Sequence, residues 1–439
     1  MTQTPLPSGE IIFQTPQGNK KAFVHHALPE GLSLQFNTIV REYFEKHPDI
    51  NPYTHNDQVR QHFGSILREM LPWNVVQDLE AHTLTGYPNV VLLSGVPIDE
   101  ARPATPESAF HPTLKGGVSE AASLGLLFTM GLKVQHNMIE RVTPAPGKNT
   151  IASGQSSGIF PLHMEMPHIP FPPRELTLLT EQQGSAKTPV IFVDLIVARL
   201  QREQPELFAI MQEPLFVMKS LNGEIKTEPM PILNWHPKQG WFIRGNFAGK
   251  DTPENRRMEI TDSSKQPFLE AIYAFMEKEY ENAFYAILRT NENTGMFAAI
   301  GNYKTLHARA PFGEGYPLTN PIGFDAPAKI VLPINLPAGG FRQHNYPDER
   351  INSSNLGERL WAERATKEMN LVILQMREKK LLYEPNVDRW NEQATRVIQK
   401  PSIQMMIEDP NWLKRCLLRT YSVPDPQHRF TTVQQSQQR

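Results

Sequence analysis

His163 and Glu165 stand two apart in the run Phe160-Pro161-Leu162-His163-Met164-Glu165-Met166-Pro167. If that run is extended, side chains two apart share a face of the pleat, so an imidazole and a carboxylate converge on one point. A second histidine from elsewhere in the chain would complete two imidazoles and one carboxylate on one side of a metal ion. Such a set leaves coordination positions open and suits Fe(II) that activates oxygen. The spacing alone is common. With 14 His and 46 Asp+Glu in 439 residues, chance predicts roughly 1.5 His-x-acid pairs. Two others occur, His47-x-Asp49 and His55-x-Asp57, both within the polar run KHPDINPYTHNDQ. There Asp and Asn serve as turn formers and helix caps.

Composition narrows the classes of function. A chain of 439 residues buries a sizeable core. Its 44 Lys+Arg against 46 Asp+Glu leave a net charge of −2, which points to neither nucleic acid nor an anionic membrane. A small-molecule site is the default. The one cysteine, Cys416, cannot form an internal disulfide, in keeping with a reducing compartment. The N-terminus MTQTPLPSGE lacks a signal-peptide pattern, and no run of about eighteen apolar residues could span a bilayer. The expectation is a soluble, cytoplasmic protein. The 39 prolines call for many loops and short strands.

The elements that must position the pair follow from apolar spacing. Residues 1–30, punctuated by Pro and Gly, read as a segment draped over the body. Leu34 to Leu79 suits two amphipathic helices. YPNVVLLSGV (87–96) reads as a buried strand, and SEAASLGLLFTM (119–130) as a buried helix capped by Ser119. Short strands then dominate: KVQHNMIERV, the His163 run, ELTLLTEQ, TPVIFVDL, and three more between 214 and 249. Helices are expected from Asp194 to Gln204, near Gln212, and from Pro267 to Arg289. GMFAAIGNYKTLHARAPF and WLKRCLLRTYSV close the pattern. A β-core with helical cover is the natural layering.

The order His163-x-Glu165, TEQQGSAKTPVIFVD, GNYKTLHARAPF and WLKRCLLR resembles the Fe(II)/2-oxoglutarate oxygenases of the taurine dioxygenase superfamily. Within it the chain is similar to the clavaminate-synthase-like group, which includes arginine β-hydroxylases. The resemblance runs from about residue 85 to 312 and resumes at about 408 to 423. It implies an α+β fold: a double-stranded β-helix (jelly-roll) core with N-terminal and flanking helices and a large insert near the C-terminus. It also implies Fe(II), 2-oxoglutarate and O₂, and oxidation of an unactivated C–H bond coupled to decarboxylation of the keto acid. His163, Glu165 and His307 would be the metal ligands. His307 sits in a segment that also offers Asn302 and Arg309. In halogenating relatives a small residue replaces the carboxylate, so Glu165 implies hydroxylation or desaturation.

Arg415 and Arg419 are four apart, which puts both on one face of a strand; they read either as edge-strand surface residues or as a site. The resemblance gives Arg415 the distal carboxylate of 2-oxoglutarate, held through a planar fork. Arg419 would lie deeper, and Thr188 would donate a hydroxyl to the same carboxylate. Gln135, Ser156, Ser157 and Asn246 fall where relatives line an amino-acid pocket. Arginine hydroxylases carry two acids where this chain has Asn246 and Ala248. A buried cation without a counter-charge costs several kcal/mol, so free arginine is disfavoured and another small, amino-acid-like metabolite is expected.

Domain limits follow: a helical cover over 1–84, the oxygenase core over 85–312, an insert over 313–408, a core strand over 409–423, and a flexible tail over 424–439. The insert, too long for a structureless loop, is expected to act as a lid or substrate subdomain, or else as the surface of a homodimer. Two competing functions use the same residues: a jelly-roll binding protein without catalysis, and a zinc hydrolase.

Overall fold

The computed structural model describes residues 4–5, 9–15, 18–52, 54–99, 117–142, 160–168, 172–180, 188–220, 226–236, 240–248, 256–286, 293–309, 329–333 and 417–425. Of these, the side chains of 4–5, 14–15, 135–142, 236, 286, 329–333 and most of 417–424 are outside the description.

Two sheets carry the fold. In chain order the strands of the larger sheet are β2 (Glu10–Thr15), β3 (Gly18–Ala27), β4 (Val90–Pro97), β5 (Leu132–Val142), β7 (Glu175–Thr180), β14 (Thr294–Gly301), β16 (Lys329–Pro333) and β17 (Leu417–Pro424). They lie side by side as β16-β2-β3-β4-β14-β7-β17-β5. The smaller sheet is built from β1 (Thr4–Pro5), β6 (Phe160–His163), β8 (Thr188–Phe192), β13 (Phe284–Ala286) and β15 (Thr305–Arg309), in the order β1-β13-β8-β15-β6. Short pairs β9 (Phe216–Met218) with β12 (Met258–Ile260), and β10 (Leu233–His236) with β11 (Gly240–Ile243), flank it.

At β4, β7 and β14 the larger sheet is apolar on both faces because both are covered, which is why these strands read as near-continuous hydrophobic runs. On β14, Met296, Ala298 and Ile300 join one apolar cluster, whereas Phe297 and Ala299 join another. The period of two repeats on β4, where Val90 and Leu92 fall in the first cluster and Val91 and Leu93 in the second. The second cluster holds helices α1 (Glu30–Lys46), α2 (Asn56–Met70), α3 (Trp73–Thr85) and α4 (Val118–Thr129). The first holds the smaller sheet with α5 (Val193–Glu203), α6 (Pro205–Ile210) and α7 (Gln266–Glu281). Phe192 of β8 meets Phe13 of β2 edge to face at 5.3 Å, so the face of β8 bearing Phe192 and Val190 is turned toward the larger sheet.

Several expectations change in detail. Residues 10–27, read as a draped segment, supply β2 and β3, and β3 pairs parallel with β4. Three helices, not two, precede β4. Ser119 is inside α4 rather than its cap. The carboxylate of Asp99 accepts hydrogen bonds from the N–H groups of Gly117, Val118 and Ser119 at 3.2–3.3 Å, while Asp99 N–H donates back to Ser119 Oγ at 3.1 Å. A buried helix end needs its orphan donors satisfied, and an acid from outside the helix does so. Helix α7 stops at Glu281, and Phe284–Ala286 pairs antiparallel with β8 instead. Aromatic Phe284 and Tyr285 suit a strand once a neighbour offers its edge. α2 and α4 approach closely at Gly64, where a Cβ would lie 2.2 Å from Phe128 Cγ. The helix expected in the insert lies outside the described residues; of the insert, β16 runs parallel beside β2.

Candidate metal centre

β6 and β15 are antiparallel neighbours, and His163 and His307 are directly opposed in their register. Side chains of opposed residues share a face, and the two rings lie 4.3 Å apart between centroids. On the other side of β15, His307 is opposed to Val190 of β8. Both imidazoles therefore project from the face turned toward the larger sheet, into the interior between the layers.

Glu165 reaches the same place by another route than the extended run assumed from spacing. β6 ends at His163. Met164 N–H donates to Gly245 O at 3.0 Å, Glu165 lies in a bend, and Met166 adopts φ 53°. A positive φ is uncommon for a residue with a side chain and marks a tight local reversal. Beyond the end of the strand, Glu165 Oε1 lies 3.8 Å from His163 Nε2 and 3.4 Å from His307 Nε2. Among the described residues these three form the one group of metal-ligating type whose donor atoms all lie within 4.8 Å of one another.

The donor set fits a divalent ion. Metal bonds of about 2.0–2.2 Å place two ligand atoms no more than ~4.4 Å apart, which the 3.4 and 3.8 Å separations satisfy. His163 Nδ1 lies 2.8 Å from Pro161 O; a carbonyl can only accept, so Nδ1 carries the hydrogen and Nε2 presents its lone pair to the centre. Both histidines are buried, and the single carboxylate contributes one negative charge.

Two buried arginines act on His168, three residues beyond Glu165. Arg244 is 2% exposed and its Nε donates to Pro167 O at 2.8 Å. Arg257, also buried, donates to Ser220 O at 3.0 Å, and burial lowers its pKa. His168 is pushed down to about 3, first by burial and then by the charges of Arg257 and Arg244, with Glu165 opposing; it is neutral at physiological pH. Its Nε2 has no hydrogen-bond partner among the described residues. Burial likewise lowers Arg309 to about 10. Spacing gave no signal for Arg244, Arg257 or His168, which come together only through folding.

Thr188 opens β8, two residues from Val190 and hence on the same face as His307. Asn246 forms an isolated antiparallel bridge with His163 on the outer side of β6, and its Oδ1 accepts from Ala248 N–H at 3.0 Å. Gln135 is in β5, and Arg419 in β17 is opposed to Leu178 of β7, with both side chains outside the description. Arg415, Ser156 and Ser157 lie outside the described residues.

No protein-family model and no curated protein sequence matches the chain. Solved structures match its fold. An asparagine oxygenase in complex with Fe(II), 2S,3S-3-hydroxyasparagine and succinate aligns with a TM-score of 0.52 at 17% identity, over 67% of this chain and 90% of that one. A second asparagine oxygenase structure gives 0.51 at 16% identity, over 67% and 89%. A variant of the non-heme iron oxygenase OrfP in complex with (3S)-hydroxy-L-Arg gives 0.50 at 15% identity, over 67% and 90%. At these identities the likeness is one of fold.

Proposed function

We propose that the chain is an Fe(II)- and 2-oxoglutarate-dependent oxygenase that hydroxylates or desaturates an unactivated C–H bond of a small, amino-acid-like metabolite. The observation that carries this reading is the convergence of His163, Glu165 and His307 between two sheets, on a fold shared with asparagine oxygenase. Fe(II) held there would supply activation of O₂ coupled to decarboxylation of the keto acid. The chain's own task is positioning. Pro161 O orients the His163 ring, and the strand register sets His307 against it.

In this reading the layers form a jelly roll, residues 85–312 and 409–423 make the catalytic core, and the 313–408 insert acts as a lid or substrate subdomain. Arg415 receives the distal carboxylate of 2-oxoglutarate, with Thr188 donating a hydroxyl and Arg419 close by. Thr188 on the same face as His307 supports that placement. Gln135, Ser156, Ser157 and Asn246 line the substrate pocket. Asn246 lies against His163, and a buried alanine stands at 248. With Arg244 and Arg257 buried nearby, a cationic substrate side chain would meet like charge. A neutral or acidic side chain fits better. Among the described residues no helix is long and apolar enough to cross a membrane; we place the enzyme in the cytoplasm.

The test is anaerobic titration with Fe(II) and 2-oxoglutarate, followed by exposure to O₂. A weak visible charge-transfer band and succinate release are expected. Absence of both, with zinc retained instead, would favour a hydrolase on the same ligands.

A further inference from the structure

We propose that Asn302 is a positioning residue for the metal centre, holding Glu165 and His307 in one rigid unit. This rests on reading His163, Glu165 and His307 as metal ligands. Asn302 is 0% exposed. Its Oδ1 accepts from Glu165 N–H at 2.7 Å, and its Nδ2 donates to Glu165 O at 3.1 Å and to Pro173 O at 2.7 Å. One side chain thus grips both main-chain groups of the carboxylate ligand, from 137 residues away. Because the acceptor and both donors are in use, the amide orientation is determined by its partners.

Glu165 needs such a grip. It lies past the end of β6, so no strand ladder holds it, and the next residue has φ 53°. A backbone in that region persists only where its surroundings over-determine it. Asn302 supplies the determination from the turn between β14 and β15. That turn is itself fastened: Gly301 N–H donates to Asn89 O at 2.9 Å, Asn302 N–H to Arg174 O at 2.9 Å, and Lys304 Nζ to Trp241 O at 2.9 Å. Tyr303 Oη donates to Pro172 O at 3.0 Å. The same turn runs directly into β15 and delivers His307. The carboxylate and one imidazole are thereby referenced to a single piece of backbone, and a ligand set is only as well placed as its supporting hydrogen bonds.

The experiment compares Asn302→Ala and Asn302→Asp with Tyr303→Phe. Asp keeps an acceptor for Glu165 N–H but turns an oxygen toward two carbonyl oxygens. The Phe control removes a hydrogen bond from the same turn without touching Glu165. Three quantities are read: the Kd for Fe(II) under anaerobic conditions, the visible spectrum of the Co(II)-loaded protein, and the Tm of the metal-free protein. Both Asn302 variants should weaken Fe(II) binding about 10- to 100-fold, the range for lost outer contacts to metal ligands, and alter the Co(II) bands. Tyr303→Phe should stay within threefold and keep the parent spectrum even if its Tm falls. If Asn302→Ala does not fold, Asn302→Ser replaces it, with the same outcomes decisive. Folded Asn302 variants that bind Fe(II) within threefold of the parent, with parental Co(II) spectra, would overturn the proposal. A parent that binds no Fe(II) would overturn the metal centre itself.

Discussion

Removing His82 probes how the candidate site is braced from behind. His82, on α3, and Glu175, at the start of β7, are 1% and 3% exposed, with Nε2 and Oε2 2.8 Å apart. His82 Nδ1 lies 2.5 Å from Pro88 O, so one ring nitrogen faces a carbonyl, while the other is close to the carboxylate without a well-directed hydrogen bond among the described residues. Burial pulls its pKa down, yet the Glu175 charge and the contacts with Glu175 and Pro88 prevail and the pKa stands above the usual value. Removing one partner of a buried pair costs roughly 3–5 kcal/mol, because the other charge stays buried. Here Arg174 Nε, 3.5 Å from Glu175 Oε1, offers partial compensation, which puts His82→Gln near the lower end, about 3 kcal/mol. Urea midpoints at pH 6, with unchanged slope, measure the loss. A raised folded pKa means stability that is complete below the unfolded value of about 6.5 and is lost as pH climbs through the folded one. The gap between parent and variant should therefore be widest near pH 6 and narrow at alkaline pH. A loss under about 1 kcal/mol, or one that is the same at both pH values, would refute a charged His82–Glu175 pair.

Three further outcomes are expected. Arg415→Ala should weaken 2-oxoglutarate binding by about two to three powers of ten, from the roughly 3–5 kcal/mol of a broken buried pair, with Lys recovering part of it. Fe(II) retention should be little changed there, whereas His307→Ala should abolish it; equilibrium binding of each ligand separates the two, and a Kd for 2-oxoglutarate within threefold of the parent would mean that Arg415 does not hold the keto acid. Gly64→Ala should destabilise the helical layer by about 1–3 kcal/mol, since overpacking forces side chains and backbone apart: the new Cβ meets Phe128 Cγ at 2.2 Å and Phe128 Cβ at 2.3 Å. An unchanged urea midpoint would show that α2 and α4 separate freely.

By itself, the sequence determined the local elements and the chemical alphabet of the site. Apolar runs such as Val90–Leu93 and Phe297–Ala299 read as strands because a sheet covered on both faces needs no polar alternation. His163-x-Glu165 is visible as a spacing because its partners are two residues apart. Tertiary structure decided everything that depends on distant partners. His307 meets Glu165 across 142 residues only because β6 and β15 adopt one register. Glu165 lies beyond the end of its strand, beside a positive φ at Met166 that no local preference of methionine announces, and its main chain is held by Asn302 of the β14–β15 turn. The cap of α4 passed from Ser119 to Asp99, and Phe284–Ala286 left its helix for an open edge beside β8. In each case a short-range propensity worth a few tenths to about one kcal/mol was outweighed by satisfying buried polar groups and sheet edges, whose cost when unmet is about 1–3 kcal/mol apiece.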